Sequence, residues 1–187
     1  LDAVSESTAP AGSQPTRSSA QTRRVAAIDI GTNSTHLLVA SVDTTLGTFS
    51  IEQAEKSTTR LGERDPDSGE LTSAGMQRGY ETLRRFRDLA ISHDVEQIVT
   101  AATSAVREAP NGREFLQSIQ DGLGMDVDLV SGPEEARLIY LGVLSGMSFG
   151  DRPHLLLDIC GGSTELILAE GRDARAHTSP RVGAVRL

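Results

Sequence analysis

Tryptophan is absent from this chain, and aromatic residues make up only 3% of it. A core built on large rings is thereby excluded, so Leu, Ile, Val and Ala must fill the interior from an apolar content of 37%. A single cysteine rules out an intramolecular disulfide framework and fits a reducing compartment. Basic residues are the minority, 18 Lys and Arg against 26 Asp and Glu, giving a formal net charge of -8. That balance argues against a nucleic-acid binder with a broad basic face; a polyanionic ligand would have to be met by local arginines and metal ions. No apolar run reaches transmembrane length and no signal-type apolar segment is found, so a soluble, cytoplasmic protein without membrane contact is expected.

What is present is an internal echo. Ala27-Ile28-Asp29-Ile30-Gly31-Thr32-Asn33-Ser34-Thr35-His36-Leu37-Leu38 returns as Leu156-Leu157-Asp158-Ile159-Cys160-Gly161-Gly162-Ser163-Thr164-Glu165-Leu166-Ile167. Asp29 then matches Asp158, Ser34 matches Ser163 and Thr35 matches Thr164. Asp-x-Gly at a strand end is by itself an ordinary turn, but a matched pair points to a duplicated unit. Such a turn suits an anion held opposite a metal. Gly and Asn tolerate φ > 0, so backbone N–H groups can converge on phosphate oxygens. Gly31, Thr32, Asn33 and Ser34 are the expected phosphate-binding residues of the first turn, and Gly161, Gly162, Ser163 and Thr164 those of the second. Asp29 and Asp158, at the strand ends, can hold a divalent cation directly or through water.

Residues 1–22 are rich in Ser, Thr, Ala, Pro and Gln without apolar period and read as a disordered tail. Apolar patterning then predicts strands at 25–30, 37–42 and 49–55, an opening antiparallel meander. A helix starts near Leu71, capped by Thr72 or Ser73, with Met76, Tyr80, Leu83, Phe86 and Ala90 inward and Arg78, Arg84, Arg85 and Asp88 outward. Strand 95–102, helix 111–119, strand 125–130 and helix 133–144 follow. Residues 146–153 read as a hinge, after which the opening pattern repeats in strands at 154–158, 165–169 and 174–178. The fold class is α/β with a mixed sheet. The division is a first lobe over 23–150 and the start of a second, similar lobe over 151–187. That second unit lacks the crossover helices that would cover its sheet, so the chain reads as the front part of a longer two-domain protein.

Four segments, Asp29 to Ser34, Ala102-Thr103-Ser104-Ala105-Val106-Arg107, Ser131-Gly132-Pro133-Glu134-Glu135-Ala136-Arg137 and Asp158 to Glu165, occur in the order seen in exopolyphosphatases and guanosine pentaphosphate phosphohydrolases. The chain resembles that family from about Val25 onward, including the closing Gly183-Ala184-Val185-Arg186-Leu187. The resemblance implies the actin-like, ribonuclease H-like fold, with two lobes flanking a cleft and a phosphate hairpin from each. It implies that Glu135 activates water for attack on the terminal phosphorus, a role a carboxylate can fill as general base. Glu134 and Glu135 would also sit well at a helix start for dipole reasons alone, so the motif carries that assignment. Asp158 and Glu165, with Asp29 on the opposite wall, would bind Mg²⁺. Arg107 would fork onto phosphate oxygens. The substrate implied is inorganic polyphosphate, guanosine pentaphosphate or both, with guanosine tetraphosphate as a further ligand, and a homodimer is expected of the full-length protein.

One position departs from the family pattern: Cys160 stands where a glycine is usual. If that position needs φ > 0, the side chain costs on the order of 1 kcal/mol or more and distorts the turn. The thiol itself reads as a small buried hydrophobe, since the motif places no activating histidine beside it. His36 and His154 lack ligand spacing and read as a polar hairpin residue and a strand-entry residue. Two rival functions remain from sequence: an actin-like ATP-dependent kinase, and a non-catalytic alarmone- or polyphosphate-binding lobe.

Overall fold

A computed structural model describes residues 22–147, 149–150, 152–171 and 173–184. The expected tail over residues 1–22 lies outside the described residues except for Thr22, which already belongs to the first strand. The chain opens with β1 (Thr22–Ile30), β2 (Ser34–Asp43) and β3 (Thr48–Thr58), an antiparallel meander. Its strands alternate in burial because one face is packed: Ala26, Ile28 and Ile30 of β1 meet Leu37 and Val39 of β2 in the core.

Helix α1 (Ser73–Ser92) covers that face. Thr72 caps it by accepting from the Gly75 N–H at 3.1 Å, which satisfies one of the donors a helix start leaves open. Leu83, Phe86 and Ala90 are fully buried. Arg78 departs from the outward orientation expected of it: it turns along the protein, donating to the Thr59 carbonyl and pairing with Glu63. Strand β4 (Gln97–Ala102) then runs parallel to β1, followed by the short helix α2 (Ser104–Arg107), which the sequence pattern did not show, and helix α3 (Gly112–Leu123). Strand β5 (Asp128–Leu129) is only two residues long, shorter than the run expected over 125–130. Met125 and Val127 spend their side chains on the helix-side core instead of the ladder. The resulting sheet order, β3-β2-β1-β4-β5, mixes antiparallel and parallel pairs and is the ribonuclease H-like arrangement that the sequence resemblance implies.

Helix α4 (Gly132–Gly146) follows, with Ser131 accepting from the Glu134 N–H and a proline in the first turn. The sequence division at 150 groups α4 with the first lobe, yet its buried residues Ala136 and Tyr140 pack on Ile167 and Ala169 in a separate small core. That core belongs to the second sheet, β6 (His154–Ile159), β7 (Thr164–Glu170) and β8 (Asp173–Thr178), all antiparallel. The junction between the two cores therefore lies before α4, near Ser131. The second sheet repeats the opening meander to the register: Asp29 pairs with His36 across β1 and β2, and Asp158 pairs with Glu165 across β6 and β7.

Candidate active site

The two turns close in the same way. Gly31 N–H donates to the Ser34 carbonyl at 3.1 Å, and Cys160 N–H donates to the Ser163 carbonyl at 3.0 Å. Neither turn uses the left-handed conformation expected from its glycines and asparagine. Gly31, Asn33, Cys160, Gly161 and Gly162 all lie outside that region, and the positive-φ positions fall elsewhere, at Arg60 and Asp94 among the non-glycine residues. Cys160 is thus unstrained at the position of its departure. Glycine is required for closeness instead: a Cβ on Gly162 would lie 2.7 Å from Thr32 Oγ1 and 3.0 Å from Ser104 Oγ. The turns meet directly, with Thr32 and Ser104 hydroxyls 3.1 Å apart beside them.

Between the turns lies a cavity of about 300 Å³. Asp29, Gly31, Thr32, Asn33, Ser34 and His36 line it from the first hairpin, and Lys56 from β3. Thr103 and Ser104 come from the end of β4, Glu135 from α4, and Ile159, Cys160 and Gly161 from the second hairpin. Ala184 closes it, donating its N–H to the Cys160 carbonyl at 2.9 Å while the adjacent Gly183 lies flat on Gly161. Of the second turn's expected phosphate ligands, only Gly161 reaches the cavity wall. Gly162 packs against Thr32, Ser163 is buried, and the Thr164 hydroxyl is given to the Val182 carbonyl.

The neighbouring glutamates of α4 have separate surroundings. Glu134 is solvent-facing and held by Arg137 at 2.7 Å, a pairing that lowers its pKa. Glu135 is only 8% exposed. Burial raises its pKa above the ordinary carboxylate value; a hydrogen bond from Arg107 opposes that, while Glu165 and Asp29 add to it. Arg107 stands behind Glu135 and not on the cavity wall: its Nη1 donates to Glu135 Oε2 at 3.1 Å and to the Val130 carbonyl at 2.6 Å. Asp29 opens on the cavity but is crowded by protein, which raises its pKa; His36 pulls it down and Asp158 pushes it up.

Asp158, Cys160 and Glu165 place their ligand atoms within 4.8 Å of one another. Glu165 is fully buried, not the solvated strand residue its alternating sequence would allow. Its Oε1 accepts from Ser179 at 2.9 Å, and its Oε2 has no hydrogen-bond partner among the described residues. A buried carboxylate oxygen left over beside a second carboxylate fits a hard divalent cation. Asp29 is not part of this cluster, though its electrostatic coupling to Asp158 places it nearby. The Cys160 thiol donates to Asp158 Oδ2 at 3.4 Å, and burial among these acids pushes its pKa up, so it stays protonated. Such a thiol is a poor nucleophile.

Sequence reasoning missed His36 and Lys56 as cavity residues. The signal was available in the strand period, since both share the face of Asp29 once the meander's register is drawn. No helix among the described residues is long and apolar enough to cross a membrane.

The profile of the Ppx/GppA phosphatase family matches residues 38–187. A guanosine-5'-triphosphate,3'-diphosphate pyrophosphatase of Photobacterium profundum is 39% identical over 160 residues, covering 86% of this chain and 32% of that protein. One of the same name from Aliivibrio fischeri is 37% identical over 169 residues, 90% of this chain and 33% of that protein. Among solved structures, an exopolyphosphatase from Cytophaga hutchinsonii superposes with a TM-score of 0.82 at 32% identity, over 88% of this chain and 52% of that one. The Aquifex aeolicus Ppx/GppA family member gives 0.77 at 30% identity, over 87% and 52%. The chain thus spans about a third of the length of these curated relatives and about half of these solved chains.

Proposed function

The chain belongs to the Ppx/GppA phosphatase family, and from that premise we propose that the whole protein hydrolyses the terminal phosphoanhydride of inorganic polyphosphate, of guanosine pentaphosphate, or of both. The observation that carries this reading is Glu135, a buried carboxylate on the wall of the cavity between two phosphate-type turns, with an arginine behind it. A base in a low-dielectric site is matched to deprotonating water, because burial lifts its proton affinity while Arg107 keeps the anion accessible. Backbone and hydroxyl donors of Thr32, Asn33, Ser34 and Gly161 hold the terminal phosphoryl group, while Gly31, its N–H spent on the Ser34 carbonyl, shapes the turn and Ser104 backs Thr32. Asp158 and Glu165 would hold Mg²⁺, with Asp29 of the other turn as a further carboxylate electrostatically coupled to Asp158. When bound, the ion neutralises charge on the transferring phosphoryl group. Arg107 acts through Glu135, orienting it, instead of forking onto phosphate.

The non-catalytic alternative drew on Cys160 and on the incomplete second lobe, and the first of these no longer favours it, since Cys160 occupies its position without a left-handed backbone. Cytoplasmic residence rests on the single cysteine and the lack of apolar runs in the sequence, and a dimer rests on the family resemblance; neither enters the chemistry. The test is phosphate release by the full-length protein, comparing long-chain polyphosphate with guanosine pentaphosphate, with magnesium and no phosphoryl acceptor. Release from either substrate supports the hydrolase. Turnover of ATP only when a sugar or acid acceptor is added would replace it with a kinase.

A further inference from the structure

Asp29, His36 and Lys56 form a row across three strands. Asp29 pairs with His36 between β1 and β2, and His36 with Lys56 between β2 and β3, so all three side chains emerge on one face. The same three residues line both the cavity between the turns and an adjoining groove of about 520 Å³ floored by Ala27, Leu38, Ala54 and Ala101. The row is therefore the sill between the two spaces. His36 is engaged through Nε2 with the Ser34 hydroxyl at 2.9 Å. Lys56 is exposed and makes no ion pair among the described residues. Three arginines of the first lobe are committed elsewhere: Arg107 to Glu135 and the Val130 carbonyl, Arg78 to Glu63 and the Thr59 carbonyl, Arg64 to the Ala105 carbonyl.

Resting on the hydrolase reading above, we propose that Lys56 is a substrate-binding residue, holding the phosphates that leave with the shortened chain. The cavity is otherwise acidic, with Asp29 and Glu135 on its wall and Asp158 and Glu165 behind Cys160. In the reaction, water oxygen bonds to the terminal phosphorus and its proton passes to Glu135. The bridging P–O bond breaks, and its electron pair stays on the bridging oxygen of the departing chain. That oxygen gains charge, and among the described residues the Lys56 ammonium is an uncommitted side-chain cation on the cavity wall to meet it. A flexible point charge on an exposed strand suits successive phosphates of either substrate, because it reads charge and not base or ribose.

The test uses the full-length protein with Lys56→Gln and Lys56→Arg. Phosphate release is measured with polyphosphate and guanosine pentaphosphate, and calorimetry follows binding of methylene-bridged triphosphate over a salt series. Lys56→Gln is expected to lower kcat/KM and analogue affinity by about 10- to 100-fold and to flatten the salt dependence, as loss of a charge-assisted contact does. Lys56→Arg should recover most of both, which a merely structural lysine would not require. If the wild type hydrolyses its substrate and Lys56→Gln matches it in rate and affinity, the Lys56 assignment is overturned while the hydrolase stands. If the wild type releases phosphate from neither substrate, the hydrolase reading fails and this assignment with it.

Discussion

Arg107 Nη1 donates to Glu135 Oε2 at 3.1 Å, joining the helix that follows β4 to the helix that carries the candidate base. The contact ties the first sheet to the α4 unit behind the cavity wall. Burial raises the pKa of Glu135, and the arginine opposes that rise by stabilising the carboxylate.

Replacing the base should show its role directly. Glu135→Gln keeps the size and the Arg107 contact on the amide oxygen but removes the proton acceptor. In the full-length protein kcat should fall roughly 10² to 10⁴-fold, read as phosphate release under saturating substrate. Near wild-type turnover would reject Glu135 as base.

The acid side of the pH–rate profile follows from the direction of the shift. Glu135 must be ionised to accept a proton, and its pKa is raised, so activity should decline at a higher pH than an ordinary glutamate would give. Arg107 lowers that pKa; Arg107→Met removes the lowering contribution and should carry the acid limb further upward. A profile unchanged in position by Arg107→Met would detach Glu135 from the rate.

Glu165 predicts a coupling between metal binding and stability. Its buried, unpartnered Oε2 costs the metal-free fold and serves the metal-bound one. Magnesium should raise the Tm of the wild type, and Glu165→Gln should lose that increase together with activity. An equal magnesium response in the variant would remove Glu165 from the ion's ligands.

Gly162→Ala tests the contact between the turns. The added Cβ would sit 2.7 Å from Thr32 Oγ1 and 3.0 Å from Ser104 Oγ, so the Thr32 and Ser104 side chains must shift by some tenths of an ångström. Misplacing a phosphate-holding group by this order should cost about 10- to 100-fold in kcat/KM with a Tm loss of only a few degrees. Cys160→Ala makes the contrast: its backbone is unstrained and its thiol protonated, so turnover should stay within about 3-fold.

Much of the architecture was legible in the chain, because it depends on periodicity and repetition. The echo of Asp29 to Leu38 in Asp158 to Ile167 fixed two like hairpins before any coordinates, since side chains that alternate along paired strands leave a period of two. The α1 boundary was written in Thr72, and the family in four short motifs. The motif already singled out Glu135 over Glu134; tertiary structure alone decided that Glu135 is buried on the cavity wall, that Glu165 is buried with a spare oxygen, and that α4 packs on the second sheet. It also decided that glycine serves closeness and not handedness in the turns, and that Lys56 joins His36 and Asp29 in one row. These facts depend on which residues far apart in the chain become neighbours. Burial, electrostatic coupling and steric contact are properties of those neighbours, and no local pattern encodes them.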